Sequence, residues 1–235
     1  MFKTILFDLD GTMLPMEQEE FVKLYFKALC GRFCPVLKID PDTLVKAVWT
    51  GTKEMVAGGD GVTTCKQRFW GSFAQICGNT VLEYEKDFDD FYTKEFAAAK
   101  AAIHPNPKIP ALIEQLHQSG IALIAATNPI FPSVAQAERI KWAGIDPKVF
   151  NYITSYENSK FAKPDTRYYE EIIENQGLNP AECLMVGNDA AEDLAAVKCG
   201  FNAFLVTDFV IARGIDYSNI PNGSFDDLKM FLFEN

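Results

Sequence analysis

Two carboxylates, Asp8 and Asp10, stand two residues apart in FDLDGT, directly after the apolar run Ile5-Leu6-Phe7. Two more, Asp189 and Asp193, stand four apart in GNDAAED, after Cys183-Leu184-Met185-Val186. Between these pairs lie Thr127-Asn128 in ATNP and Lys163 in KFAKPD. If the four carboxylates meet, they repel: at an effective dielectric near 20, a like-charged pair about 4 Å apart costs roughly 4 kcal/mol. A hard divalent cation relieves this, because Mg²⁺ accepts a few carboxylate oxygens and keeps other positions for water and phosphate. Lys163 adds one more positive charge. The expected result is a small positive pocket for phosphate in a net-acidic chain.

Each group also has an ordinary reading when taken alone. Asp8 and Asp10 could cap a strand-to-helix turn. Thr127-Asn128-Pro129 could be plain turn chemistry. Asp189 could be an N-cap and Asp193 a solvated helix residue. Their joint occurrence at strand ends is what favours a site, and that depends on the elements that position them.

Beyond residue 100 the chain alternates short apolar runs with helical patterns. Ile121–Ala126, Asn151–Ser155, Cys183–Val186 and Ala203–Thr207 read as strands, the last of these closing the series. Pro110 opens a helix with Leu112, Ile113 and Leu116 inward and Gly120 as its stop. Ser133–Gln136 fits a capping box, with Ala143-Gly144 ending that helix. Tyr168, Tyr169, Ile172 and Ile173 line one face of a helix ending at Gly177. Asp189–Lys198 reads as a helix with Leu194 and Val197 inward. Continuous apolar strands separated by helices predict an α/β fold, a Rossmann-like parallel sheet covered on both faces. Ligands in such sheets bind at the carboxyl ends of the strands.

Residues 16–99 differ. Phe21, Leu24, Tyr25 and Ala28 recur at helical spacing, and similar patterns run through Phe69–Ile76 and Phe88–Phe96. This predicts a helical insertion, interrupted by the flexible Gly58-Gly59-Asp60-Gly61. Lys53, Lys66, Arg68 and Trp70 are its candidates for touching a substrate, and the glycine-rich loop is either a specificity loop or a simple connection.

Bulk properties narrow the function. A net charge of -10 argues against nucleic acid and anionic membranes as partners. No apolar stretch approaches the roughly 18 residues of a membrane span. Six cysteines without a CxxC pair read as reduced thiols in a cytoplasmic protein. His104 and His117 offer little basis for a zinc or two-histidine site.

The set DLDGT, ATN, KPD and GND-AAED, in this order, resembles the haloacid dehalogenase superfamily. The resemblance covers residues 1–15 and roughly 100–235 as the core domain, with 16–99 matching the family's inserted helical cap. It implies Asp8 as the nucleophile that forms an aspartyl-phosphate, and Asp10 as the acid and base that serves the leaving oxygen and then water. Thr127 and the backbone near Asn128 would bind the phosphoryl group, and Lys163 would neutralise charge there. Asp8, the Asp10 carbonyl and Asp189 would ligate Mg²⁺, with Asp193 a nearby or water-mediated partner. Lys160 competes with Lys163 for its role, though the KPD context favours Lys163. Asn188 stands where many members carry glycine or an acid, so Asp189 is aligned as the ligand.

Dehalogenases and phosphonatases of the family lack an acid at the position of Asp10. The resemblance therefore implies a Mg²⁺-dependent phosphatase of a small phosphate ester, a monomer or homodimer. A phosphomutase acting on sugar phosphates and a non-catalytic phospholigand-binding module are the alternatives.

Overall fold

The structure, a computed structural model, describes residues 2–233. Its sheet has six parallel strands in the order β3-β2-β1-β4-β5-β6. These are β1 (Thr4–Phe7), β2 (Ala122–Ala125), β3 (Tyr152–Ile153), β4 (Cys183–Gly187), β5 (Asn202–Val206) and β6 (Asn222–Gly223). The chain leaves β1 for β2 and β3 on one side, then crosses to β4 on the other. The reversal in order opens a crevice at the carboxyl ends of β1 and β4. Those two strands are direct neighbours, with Phe7 opposite Val186.

Alternating side chains bury both faces. Ile5, Phe7, Leu123, Ala125, Leu184 and Val186 belong to one hydrophobic cluster. Leu6, Ile124, Cys183 and Met185 belong to the other, under Tyr168, Tyr169 and Ile172. These tyrosines lie on α7 (Thr166–Gln176), which Asp165 caps by accepting from the Arg167 N–H and which Gly177 ends in the left-handed conformation.

Helices fill the stretch between β1 and β2: α1 (Gln18–Leu37), α2 (Pro41–Val56), α3 (Cys65–Cys77) and α4 (Glu85–Thr93), followed by a 3₁₀ segment to Ala102 and then α5 (Lys108–Gln118). The segments that enter and leave the insertion run side by side, with Met16 bridged to Ile103. The Glu17 N–H donates to the Ala102 carbonyl and the His104 N–H to Pro15. Aromatic contacts tie the insertion to α6 (Ser133–Trp142) and the loop before it: Tyr25 lies 5.8 Å from Phe131, and Phe96 lies 4.8 Å from Trp142.

Three local expectations need correction. Ser133–Gln136 is not a capping box: Pro132 occupies the N-cap, and Glu157 accepts from the Ser133 N–H and hydroxyl instead. A carboxylate imported from another loop satisfies this helix N-terminus and complements its dipole. Asp189–Lys198 is not one helix but a turn followed by a 3₁₀ segment, Leu194–Cys199, in which Ala195 and Ala196 point inward and Val197 is exposed. The sheet also continues past Ala203–Thr207 with β6 at its edge, and the chain then forms α8 (Phe225–Phe233). Two residues, Asn-Gly, form that last strand and carry no apolar signal.

All six cysteines are free thiols, and Cys65 and Cys183 are buried. Among the described residues, no helix is long and apolar enough to cross a membrane.

Candidate active site

Asp8 follows β1, and its N–H donates to the Val186 carbonyl at 2.8 Å, which fixes it at the strand tip. The chain then turns through Gly11, whose φ of 78° suits glycine and whose Cβ, if present, would lie 2.3 Å from the Asn188 amide. That close approach lets Asn188 act as a latch. Its Oδ1 accepts from the Thr12 hydroxyl at 3.0 Å, and its Nδ2 donates to the Phe209 carbonyl at 2.6 Å. Asn188 thus joins the loop after β1 to the loop after β4.

Gly187 is required for a second reason. A Cβ there would lie 2.0 Å from Asp193 Oδ2, so only glycine lets that carboxylate pack against the end of β4. Asp193 Oδ2 accepts from the Asp189 N–H at 2.9 Å, and Oδ1 accepts from Lys163 at 2.6 Å. Lys163 also donates to Asp8 Oδ1 at 2.8 Å and is completely buried. Burial alone would lower the Lys163 ammonium, but the attraction of Asp193 and Asp8 outweighs it and holds it well above its ordinary value. One ammonium cannot neutralise two carboxylates. Burial accordingly pushes Asp193 up to about 6, against the pull of Lys163 and with the help of Asp8.

Asp189 is held differently. Its Oδ1 accepts from the Ala191 and Glu192 N–H groups, the capping role expected of it as an ordinary turn residue. Its Oδ2 takes two hydrogen bonds from Arg213, at 2.9 and 2.7 Å. Asp10, by contrast, is bound by Arg139, a guanidinium fully buried on α6. Arg139 also donates to Gln136 Oε1 at 3.0 Å and sits over the Phe131 ring at 4.7 Å. Burial lowers Arg139 to about 9, with Asp8 opposing the fall.

Asp8, Asp10, Thr127, Asn128, Asp189 and Asp193 line one cavity of about 760 Å³. They do not form a cluster as they stand: the described residues include no group of three or more His, Cys, Asp or Glu side chains able to hold a metal ion. Each acid already has a cationic partner, and Asp10 and Asp193 spend theirs away from Asp189. Mg²⁺ needs only one or two carboxylates beside water and phosphate. Asp8 and Asp189 alone meet that requirement in donor chemistry.

Thr127 is buried, and its carbonyl accepts from the Thr154 and Tyr168 hydroxyls at 2.7 and 2.9 Å. Asn128 Nδ2 donates to Glu192 at 3.0 Å, leaving Asn128 Oδ1 buried without a partner. Burial pushes Glu192 up to about 7. Lys160 is engaged elsewhere through its backbone: its N–H donates to Glu171 and its carbonyl accepts from Arg68.

Of the candidates in the insertion, Trp70 lines a second cavity and donates to the Tyr156 hydroxyl at 3.3 Å. Lys53 is exposed, and Lys66 pairs with Glu85. Arg68 donates to four backbone carbonyls, those of Glu54, Met55, Thr63 and Lys160, and so acts as a clamp. The Gly58–Gly61 loop packs on the core segment, where a Cβ on Gly59 would lie 2.2 Å from the Lys160 carbonyl. It is a docked connection.

Sequence reasoning missed Arg139, Glu192 and Arg213. Arg139 had a readable signal, since it falls with Ala135, Gln136 and Ile140 on the buried face of α6, and a charge on that face needs a partner. Arg213, in a loop after β5, had none.

A family model described as haloacid dehalogenase-like hydrolase matches residues 2–200. A glyceraldehyde 3-phosphate phosphatase of Methanothermobacter thermautotrophicus is 30% identical over 131 residues, which span 52% of this chain and 57% of that protein. A phosphoglycolate phosphatase of Vibrio vulnificus is 26% identical over 87% of this chain and 83% of its own length. The crystal structure of a HAD phosphatase from Thermococcus onnurineus superposes with a TM-score of 0.62 at 18% identity, covering 98% of each chain.

Proposed function

Because the chain belongs to the haloacid dehalogenase-like hydrolases, we propose that it is a phosphatase of a small phosphomonoester that works through an aspartyl-phosphate on Asp8. The observation that carries this reading is the buried Lys163 gripping Asp8 Oδ1 at 2.8 Å, on a cavity that Asp10 and Thr127 also line. With Oδ1 held, Oδ2 is the oxygen presented for attack on phosphorus. The phosphorus–ester oxygen bond breaks, and Asp10, in its acid form, gives the departing oxygen a proton. Asp10 then takes a proton from water, which attacks the acyl phosphate, releases inorganic phosphate and restores Asp8. Lys163 offsets negative charge around Asp8 during transfer, and the Thr127 hydroxyl and backbone near Asn128 donate to phosphoryl oxygens. Arg139 positions the Asp10 side chain from beneath.

Asp8 and Asp189, with the Asp10 carbonyl, would hold Mg²⁺, which when bound supplies positive charge against the phosphoryl oxygens. Arg213 must then give up Asp189. The helical stretch 16–99 is proposed as a cap that closes over the substrate and excludes water. Free cysteines throughout accord with a cytoplasmic setting.

The direct test is Asp8→Asn, assayed for phosphate release from a panel of esters with Mg²⁺. Turnover is expected to fall about 10⁴-fold or more, while cooperative unfolding persists. Phosphate release within about tenfold of wild type would refute the assignment of the nucleophile.

A further inference from the structure

Beside the acidic cavity lies a second one of about 160 Å³ between the helical insertion and the loop before α6. Its wall is aromatic and aliphatic, with Phe26, Trp49, Phe69, Tyr92 and Phe131 prominent. Several polar side chains of this wall already have partners: the Tyr25 and Tyr92 hydroxyls lie 3.1 Å apart, Trp70 Nε1 donates to the Tyr156 hydroxyl, and the Thr52 hydroxyl donates to the Val48 carbonyl, while the exposed Gln18 lies where this cavity adjoins the acidic one. Asp10 supplies the charge on this lining, and among its described residues there is no Lys or Arg. Arg139 lies behind the Phe131 ring, engaged with Asp10 and Gln136.

The two cavities meet along shared walls, since Asp10, Met16, Gln18 and Ile130 line both. A phosphate on the acidic side would therefore leave the rest of its ester on the aromatic side, with the bridging oxygen beside Asp10. We propose, resting on the phosphatase reading above, that the substrate is the phosphate monoester of a neutral alcohol with an apolar or aromatic body about one ring in size. Size supports this: a cavity of about 150 Å³ lined by apolar side chains takes up benzene. Charge supports it too. A leaving group with its own carboxylate would face Asp10 with no cation to receive it, and a sugar would leave its hydroxyls against apolar walls.

The test compares kcat/KM of the full chain with Mg²⁺ on benzyl phosphate, ethyl phosphate, phosphoglycolate and glucose 6-phosphate. All four release alkyl alcohols, so leaving-group chemistry varies less than shape and charge. Benzyl phosphate is expected to exceed ethyl phosphate by about 10²-fold, with phosphoglycolate and glucose 6-phosphate at or below ethyl phosphate. Either of these last two matching benzyl phosphate would overturn the proposal. Thr52, a half-buried residue of the aromatic wall on α2, supplies a second arm. Thr52→Lys should raise phosphoglycolate relative to benzyl phosphate by about tenfold or more, and an unchanged ranking counts against the pocket.

If none of the esters is hydrolysed, it is the phosphatase reading that fails. The pocket is then judged by titrating benzyl alcohol against the emission of Trp49 and Trp70, which both line it. A saturable change that Thr52→Lys weakens supports the apolar site, and the lack of any saturable change removes it.

Discussion

Replacing Lys163 with methionine keeps the volume of the side chain and deletes its charge. Lys163 is fully buried, and its two partners, Asp8 and Asp193, are 7% and 1% exposed. Deletion leaves two neighbouring carboxylates in low dielectric without a counter-charge. Breaking a buried pair in this way costs about 3–5 kcal/mol, a large share of a domain's usual 5–15 kcal/mol. The measurement is urea unfolding in EDTA, so that no metal replaces the missing charge, at pH 7.5 and at pH 5. In wild type, burial already holds Asp193 near 6, above its unfolded value. Its protonated form therefore contributes stability below about pH 4 that is lost as pH rises through about 6. Without Lys163 the folded value rises further, so the variant should lose more stability at pH 7.5 than at pH 5. Adding Asp193→Asn should restore part of the loss, a non-additivity expected of side chains in contact. A deficit below about 1 kcal/mol at pH 7.5, or one that does not shrink at pH 5, would refute the idea that this ammonium holds the carboxylates together.

Arg139→Met should lower kcat more than it raises KM, since it loosens Asp10 without touching the phosphate side. The stability cost should be about 1–3 kcal/mol, less than for a fully buried pair because the Asp10 side chain is 38% exposed. Unchanged kcat would show that Asp10 needs no positioning. Arg213→Ala frees Asp189 and should tighten Mg²⁺ binding, measured by titration calorimetry. The Arg213 side chain is 52% exposed, so the pair is worth at most about 1 kcal/mol and the gain at most about fivefold; weaker binding would contradict competition at Asp189. Glu192→Gln should stabilise the metal-free protein at pH 8 by about 1–3 kcal/mol and do little at pH 4. The sign follows from burial raising Glu192 to about 7: its protonated form contributes stability below about pH 4 that disappears as pH rises through 7. Equal effects at both pH values would refute it.

The strands were legible because their signal is local. Ile5-Leu6-Phe7 and Leu184-Met185-Val186 are continuous apolar runs, as a sheet buried on both faces demands. The acids at their ends were legible for the same reason, since polar groups directly after such runs stand out. Gly120 and Gly177 marked helix ends because the left-handed conformation excludes most other residues. The stretch Asp189–Lys198 misled because a 3₁₀ segment and an α-helix share nearly the same residue preferences. Ser133–Gln136 misled because a capping box is inferred from neighbours in sequence, while Glu157 arrives from another loop. β6 escaped because a two-residue edge strand takes its identity from the strand beside it.

By itself the sequence determined which residues sit at the strand tips: Asp8 and Asp10 after one apolar run, Asp189 after another, Thr127 and Lys163 between. What it did not determine was the partner of each charge. That Lys163 binds Asp8 and Asp193, that Arg139 reaches Asp10 from inside α6, and that Arg213 covers Asp189 are results of tertiary packing. The reason is physical: hydrophobic periodicity is written along the chain, whereas these salt bridges join residues 24 to 155 positions apart. Such distances close only when the sheet order is complete. The aromatic cavity belongs to the same class, since its walls come from the insertion and the core and exist only once the two have met.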